Sequence, residues 1–272
     1  MMSVTYFRER GCPVFALALV AAATIGAAEL KVSLDKETVG KPPTAFEPIV
    51  GTWVVVKDGA EKAIMVDGRP WTATKDNPTK LLVESARKLY GTSNEELMDN
   101  AKQFAYYPVA VLKGLENFSN GSISMMFRTV AGELDRCSGI LFNVKPNGDW
   151  LALRYNDTEH NVVLWEFHNG IRRPLIRPRD GDLLKGEGDR EKWHALRLDV
   201  DGANITGTLD GTKVLTYVLG SAPEPGRSGG APNPDLFPEN NPVLKAPVTG
   251  KVGLWSKTDS TSYFKDYVVN PK

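Results

Sequence analysis

Residues 194–218 read HALRLDVDGANITGTLDGTKVLTYV, and this stretch decides the fold class. It contains two tight-turn signals, Asp201-Gly202 and Asp210-Gly211, because Asp and Gly tolerate the left-handed backbone of a two-residue hairpin turn. The apolar and β-branched runs on either side of each turn predict strands. Two consecutive hairpins therefore predict an antiparallel sheet in this part of the chain.

The same pattern extends outward from this stretch. Further strands are predicted over residues 52–57, 63–66, 122–128, 139–144, 150–155, 162–167, 251–256 and 262–269. Asn169-Gly170 predicts one more hairpin turn. Many short strands with turn signals at close spacing are typical of an antiparallel sandwich or barrel, so we predict an all-β fold.

Residues 1–28 are predicted to be a secretory signal peptide. Arg8 and Arg10 form a basic start, residues 13–25 are apolar, and the small residues that follow place the cut after Ala28. The apolar run is shorter than the ~20 residues that span a bilayer, although an uncleaved anchor helix is the alternative. We therefore expect an exported protein, periplasmic or extracellular, with no membrane span in the mature chain.

Residues 29–50 are predicted to form an N-terminal extension, and residues 51–272 one sandwich domain with two insertions. The first, residues 79–104, predicts two short helices, since Leu82, Ala86 and Leu89 recur at helical spacing. These helices would cover an edge of the sandwich or form a lid over a cleft. The second, residues 221–248, is rich in Pro and Gly and predicts a long surface loop.

The charge balance excludes some partners. The chain has 33 Lys and Arg residues against 33 Asp and Glu residues, a formal net charge of zero. A nucleic-acid partner usually requires a basic surface, so none is expected. Cys137 is the one cysteine after the predicted signal peptide, so we expect neither an internal disulfide nor a cysteine-based metal site.

Residues 154–161, RYNDTEHN, are the best candidate for a ligand-facing surface. They join two predicted strands and carry four side chains that can bind a polar ligand: Arg154, Asn156, Glu159 and Asn161. Strand alternation places Arg154 and Asn156 on the face opposite the predicted core residues Leu151 and Leu153. Glu159 and Asn161 would close the rim of the site.

Alternation on the neighbouring strands widens this set. It places Ile140, Phe142 and Val144 in the core and Leu141 and Asn143 on the other face. The full set of candidate ligand-binding residues is Arg128, Asn143, Arg154, Asn156, Glu159, Asn161, Trp255, Lys257 and Asp259.

A face with tryptophan, amide and charged groups suits a glycan, because sugars offer C–H faces to rings and hydroxyls to polar groups. Trp165 is a further candidate for such a face. The alternative is that Trp165 and Trp255 pack in the interior and that the charged residues are solvated surface.

Catalytic signals are weak. Retaining glycosidases need two carboxyl groups about 5–5.5 Å apart, and Glu133-Leu134-Asp135 is the one tempting pair, although it lies between predicted strands. Glu159 and His160 are weaker candidates for acid–base residues.

A structural calcium ion is conceivable from Asp199, Asp201 and Asp210, although hairpin turns explain the last two residues better. Asp266 in the final predicted strand is a candidate metal ligand. Of the other two histidines, His194 opens a predicted strand and is expected to be structural.

Short motifs give the chain a family resemblance. They are GTW at 51–53, GILF at 139–142, NGDW at 147–150, RYNDTEHN at 154–161, WHAL at 193–196 and GKVGLWSKTDS at 250–260. The sequence resembles bacterial secreted concanavalin A-like jelly-roll proteins, which are described as laminin G-like, 3-keto-disaccharide hydrolase-like or similar to laminarinase-type glucanases. The resemblance implies an antiparallel jelly-roll sandwich with a sugar-related role.

Three functions remain open from the sequence. The first is a module that binds a glycan or oligosaccharide through the candidate set above. The second is a carbohydrate-active hydrolase of the 3-keto-disaccharide or glycoside hydrolase type, using Glu159 or His160. The third is a protein-interaction domain that uses the Pro-rich loop or the helical insertion.

Overall fold

The structure is a computed structural model that describes residues 28–69, 107–176, 191–221 and 234–272. The predicted signal peptide up to residue 27, the predicted helical insertion and residues 222–233 of the Pro-rich loop lie outside the described residues. The described strands, in chain order, are β1 Leu30–Lys31, β2 Phe46–Val50, β3 Thr52–Asp58, β4 Glu61–Asp67, β5 Val109–Leu112, β6 Gly121–Ala131, β7 Cys137–Val144, β8 Trp150–Asn156, β9 Asn161–His168, β10 Ile171–Ile176, β11 His194–Asp201, β12 Asn204–Leu209, β13 Thr212–Val218, β14 Lys251–Trp255 and β15 Thr261–Pro271.

The strands form two antiparallel sheets. Sheet one has the order β13-β12-β11-β6-β15-β4-β3, with β1 paired to β15, and sheet two has the order β10-β9-β8-β7-β14-β5-β2. Consecutive strands lie in different sheets at β1–β2, β2–β3, β4–β5, β5–β6, β6–β7, β10–β11, β13–β14 and β14–β15. The fold is therefore the predicted all-β, concanavalin A-like jelly-roll sandwich.

Two of the three predicted hairpin turns form for the predicted reason. The third hairpin joins β11 to β12 through Gly202 and Ala203, because Asp201 is the last residue of β11. Asn169 has φ 50° with Gly170 at 75°, and Asp210 has φ 48° with Gly211 at 79°. Both pairs place two successive residues in the left-handed region, which a type I′ turn requires. These turns join β9 to β10 and β12 to β13, so these two hairpin predictions are confirmed.

Strands β1, β2, β5 and β10 were not predicted from the sequence, and β2 and β10 are the edge strands of sheet two. Each contains a proline, Pro48 in β2 and Pro174 in β10. Proline lacks the N–H that a central strand must donate, so it is tolerated at an edge and weakens the sequence signal for a strand.

The core between the sheets follows the predicted alternation. Ile123 and Phe127 of β6 pack in one buried cluster with Phe142, Leu151 and Leu153 of sheet two. Val144 is a correction, because it belongs to the cluster on the opposite face of sheet two. Asn143 adopts φ 54°, and this left-handed residue breaks the alternation just before Val144.

The outward face of sheet two is buried as well. Leu141 and Trp150 belong to a second hydrophobic cluster whose members all come from sheet two. The structure agrees with the alternative that the tryptophans of this face pack in the interior, since Trp255 has no exposed surface and Trp165 is 6 % exposed. Asn143 and Asn156 are at most 1 % exposed. Apolar side chains on both faces explain why β7 and β8 are buried along their whole length.

The described part of the Pro-rich segment differs from the predicted surface loop. It contains two 3-10 helices, Pro234–Leu236 and Pro242–Leu244, and Val243 and Leu244 are fully buried. Asn241 caps the second helix by accepting a hydrogen bond from the Val243 N–H. Within the described residues, no helix has the length and apolar character needed to cross a membrane.

Candidate functional site

Arg154 and Trp255 lie on the same face of sheet two. Arg154 of β8 pairs with Gly139 of β7, and Gly139 pairs with Trp255 of β14. A Cβ atom on Gly139 would lie 2.8 Å from the Leu153 carbonyl oxygen and 3.2 Å from Cε3 of Trp255. The glycine is therefore needed for the indole to lie across β7, and strand alternation predicted the shared face correctly.

Arg154 is bound to Glu159 through a two-pronged contact. Its Nη1 and Nη2 atoms each donate to Oε2 of Glu159 over 3.0 Å, and Asn161 Nδ2 donates to the same oxygen over 3.3 Å. Arg154 is 2 % exposed, whereas the Glu159 side chain is 50 % exposed. Partial burial raises the pKa of Glu159, but the charge and hydrogen bonds of Arg154 outweigh it, and the net pKa is lowered. Glu159 is thus an ionised acceptor at the rim.

Asn156 shapes the turn that carries Glu159. Its Oδ1 atom accepts from the backbone N–H groups of Thr158 and Glu159, at 2.9 and 3.4 Å, and its Nδ2 atom donates to Asp135. This is the local side-chain-to-backbone bonding that Asn uses to form turns. His160 follows in the same turn with φ 49°. Asn156 therefore positions the rim, and its own polar atoms are occupied.

Arg172 of β10 is a site residue that the sequence analysis missed. Its guanidinium carbon lies 3.8 Å from the ring centroid of Trp165 and 5.2 Å from that of Tyr107. Arg154 lies 5.5 Å from the same Trp165 ring, so two guanidinium groups from β8 and β10 contact one indole on the strand between them. We call Arg154, Arg172, Trp165, Trp255 and Tyr107 the arginine–tryptophan face.

Burial is the main influence on Arg172. Burial lowers the pKa of this guanidinium. The electrostatic interaction with Tyr107 opposes this decrease, and the positive charge of Arg154 adds to it. The missed signal was the Asn169-Gly170 turn, which predicts that the chain returns along β9 and brings Arg172 back beside Phe167.

Aromatic rings fill the floor of this face. Tyr107 lies 5.6 Å from both Trp150 and Phe167 and 6.0 Å from Trp255, measured between ring centroids. Trp255 has no exposed surface. The partly exposed members, Tyr107 and Arg172, are therefore the ones that a ligand would meet first.

Lys257 and Asp259 hold the loop beside the face. Lys257 Nζ lies 2.7 Å from Oδ2 of Asp135. Asp259 accepts from the backbone N–H groups of Glu133, Leu134 and Asp135. Burial raises the pKa of Asp259, but the hydrogen bonds from these three N–H groups lower it by more, so the net pKa is lowered. The carboxylate is therefore ionised and anchors the loop. Glu133 is exposed, Asp135 is buried and neither lies in a strand, so the strand geometry expected of a catalytic pair is not formed.

Two predicted site residues lie elsewhere. Arg128 is on sheet one, where it pairs with Asp58 at 2.7 Å and lies over the rings of Trp193 and Tyr263. Asn143 is at the end of β7, where it donates to the Val243 carbonyl and accepts from the Thr249 N–H. The structure does not bring either residue to Arg154.

His168 and His194 each contact an aspartate and have structural roles. His168 Nδ1 lies 2.6 Å from Asp149, a hydrogen bond that raises the pKa of this histidine, and His194 Nδ1 lies 2.7 Å from Asp210. Among the described residues, no three His, Cys, Asp or Glu side chains are grouped so that they could hold a metal ion. Asp266 is exposed and lies at a bulge in β15.

The arginine–tryptophan face contains polar atoms without a partner. Among the described residues, Nε of Arg154, Nη1 of Arg172, Nε1 of Trp255 and Oδ1 of Asn161 are buried and make no hydrogen bond. Each such atom costs about 1–3 kcal/mol when it stays unsatisfied. Three of these atoms are donors and one is an acceptor, and of their four residues Arg172 and Asn161 are the partly exposed ones.

Comparisons with known proteins do not show a family for this chain. No protein-family model matches the chain, and no curated protein matches it either. Among solved structures, the carbohydrate binding module CBM66 from Bacillus subtilis is 12 % identical with a TM-score of 0.48, over 83 % of this chain and 96 % of that one. The apo Crh5 transglycosylase is 12 % identical with a TM-score of 0.46, over 90 % and 85 %. A Bacillus licheniformis beta-glucanase is 11 % identical with a TM-score of 0.38, over 61 % and 71 %.

Proposed function

We propose that this chain is an exported glycan-binding protein, periplasmic or extracellular, whose arginine–tryptophan face receives an oligosaccharide. The observation that carries this proposal is the set of buried, unpaired donors beside aromatic rings. A bound sugar would supply hydroxyl and ring oxygens to the unpaired atoms of Arg154 and Arg172. Its C–H faces would pack on Tyr107 or Trp165.

The rim supports this proposal by its mixture of donors and acceptors. Glu159 offers ionised oxygens, Lys257 offers an ammonium group, and Asn161 offers an amide. Ligand sites combine an apolar floor with a few placed polar groups in this way. The lowered pKa of Glu159 argues against a general-acid role, because a carboxyl that stays ionised cannot donate a proton at neutral pH.

The test begins with a glycan array and continues with calorimetry on the glycans that bind. Arg154→Ala is expected to weaken binding at least about tenfold, since it removes hydrogen bonds of a charged donor. Arg197→Ala is the matched control, because Arg197 forms an exposed ion pair with Asp199 on sheet one. Circular dichroism would confirm that both variants are folded.

Two outcomes would contradict the proposal. The first is an array without any bound glycan. The second is an Arg154→Ala variant that is folded and binds its glycan as tightly as Arg197→Ala does. An Asn161→Ala variant provides a milder second probe, because Asn161 is partly exposed and makes one contact, to Glu159.

A further inference from the structure

Arg172 differs from the neighbouring cations of sheet two in lacking an anion. Its neighbours are paired within the described residues: Arg154 with Glu159, Arg173 with Glu166 and Asp235, and Lys257 with Asp135. Among these residues, no ion pair joins Arg172 to a carboxylate, and its described partners are the rings of Trp165 and Tyr107. The arginine–tryptophan face therefore carries one uncompensated positive charge.

This arrangement is costly for the folded protein. A guanidinium that loses part of its water needs other groups to replace the lost hydrogen bonds. Cation–π attraction to the aromatic rings offsets about 0.5–2 kcal/mol of this desolvation cost, but the rings accept no conventional hydrogen bond. The buried Nη1 atom stays without a partner among the described residues. The missing partner should be an anion that arrives from outside.

We propose that Arg172 binds the acidic group of an acidic glycan, either a carboxylate or a sulfate. This inference rests on the proposed function and names the class of its ligand. The guanidinium fork suits two parallel hydrogen bonds to an oxyanion. The ring of Trp165 holds the fork from one side, so less conformational freedom is lost when the anion binds. Arg154, already neutralised by Glu159, is left to contact the hydroxyl groups of the same ligand.

The experiment uses two matched pairs of probes. One pair is a set of uronic acid oligosaccharides and the same oligosaccharides after carboxyl reduction. The other pair is a set of sulfated galactan oligosaccharides and the same oligosaccharides after desulfation. The wild-type protein is expected to bind the acidic member of one pair about tenfold more tightly at low salt. The pair that shows this preference distinguishes a carboxylate from a sulfate.

Arg172→Ala is expected to remove the preference for the acidic member, so that the acidic and neutral members of a pair bind this variant with equal affinity. Arg172→Lys keeps the charge without the fork, so it should retain part of the preference and lose more of it as salt is added. Arg197→Ala is again the matched control and should behave like the wild type.

The possible failures are distinct. If neutral and acidic members bind equally, or if Arg172→Ala and Arg172→Lys both keep the full preference, the role of Arg172 is wrong while glycan binding stands. If no member of either pair binds and the glycan array is also empty, both the role of Arg172 and the proposed function are wrong. An Arg172→Ala variant that fails to fold leaves the decision to Arg172→Lys.

Discussion

On sheet one, the outward side chains are partly exposed, and Arg128 is paired with Asp58. On sheet two, the outward side chains are buried, and polar atoms of Arg154, Arg172 and Trp255 have no partner among the described residues. The strands of both sheets alternate with the same period, so alternation tells which residues share a face but not whether solvent reaches it. Unpaired buried polar groups are rare in structures. Among the described residues, sheet two carries more of them than sheet one, where Nε of Arg128 and Nε2 of His194 are also unpaired.

The largest expected difference between the sheets concerns their tryptophans. Trp255 on sheet two is fully buried, whereas Trp193 beside the outward face of sheet one is partly exposed. Trp255→Ala should lower the free energy of unfolding by about 3–5 kcal/mol, because it removes a large ring from a packed cluster. Trp193→Ala should lower it by less than about 1.5 kcal/mol. Urea unfolding followed by circular dichroism measures both values.

Equal losses for the two variants would break this comparison. They would mean that sheet one depends on its outward face as much as sheet two does. A Trp255→Phe variant keeps most of the apolar contact and should recover more than half of the loss, since it leaves a smaller cavity than alanine.

A second difference concerns the inner face of sheet two, where Glu166 is fully buried. Burial raises the pKa of Glu166 to about 7 from its ordinary value of 4.5, although the hydrogen bond and charge of Arg173 oppose this change. The folded protein therefore holds a proton that the unfolded chain releases between pH 4.5 and about 7. Stability should fall through this window as pH rises, by on the order of 3 kcal/mol.

Glu166→Gln should remove this pH dependence, because glutamine does not titrate. The measurement is the free energy of unfolding of both proteins at several pH values between 4.5 and 8. The charge of Glu166 contributes to the raised pKa of His168, so the difference between the two profiles reports Glu166 together with its effect on His168. Parallel profiles across the whole window would show that Glu166 is already ionised in the folded state.

Much of the fold could be predicted from the sequence because its turns are specified by local residue types. Asn169-Gly170 and Asp210-Gly211 adopt the left-handed turn that their residue types predict. Two of the missed strands, β2 and β10, contain Pro48 and Pro174 and lie at the two edges of sheet two. A proline can be tolerated there only because the next strand is absent, and a single strand read by itself does not show this.

The site was readable in part. Alternation placed Arg154 and Trp255 on one face, since that depends only on the register of β8, β7 and β14. Arg172 was missed because it lies on the unpredicted strand β10. The burial of the face had a signal that was not used, the continuous apolar run around Leu141, which is typical of a strand covered on both sides.

The smallest expected effect on binding belongs to Arg128, and it tests whether the two outward faces are truly separate. Arg128→Ala should reduce stability by about 1 kcal/mol, because it breaks the pair with Asp58 and the contacts with Trp193 and Tyr263. Its glycan affinity should match the wild type, since the core between the sheets separates it from Arg154. Calorimetry with the same glycan and buffer as for Arg154→Ala makes the comparison direct. If Arg128→Ala weakens binding as much as Arg154→Ala while remaining folded, the ligand contacts sheet one. The proposal that only the outward face of sheet two binds the glycan would then be wrong.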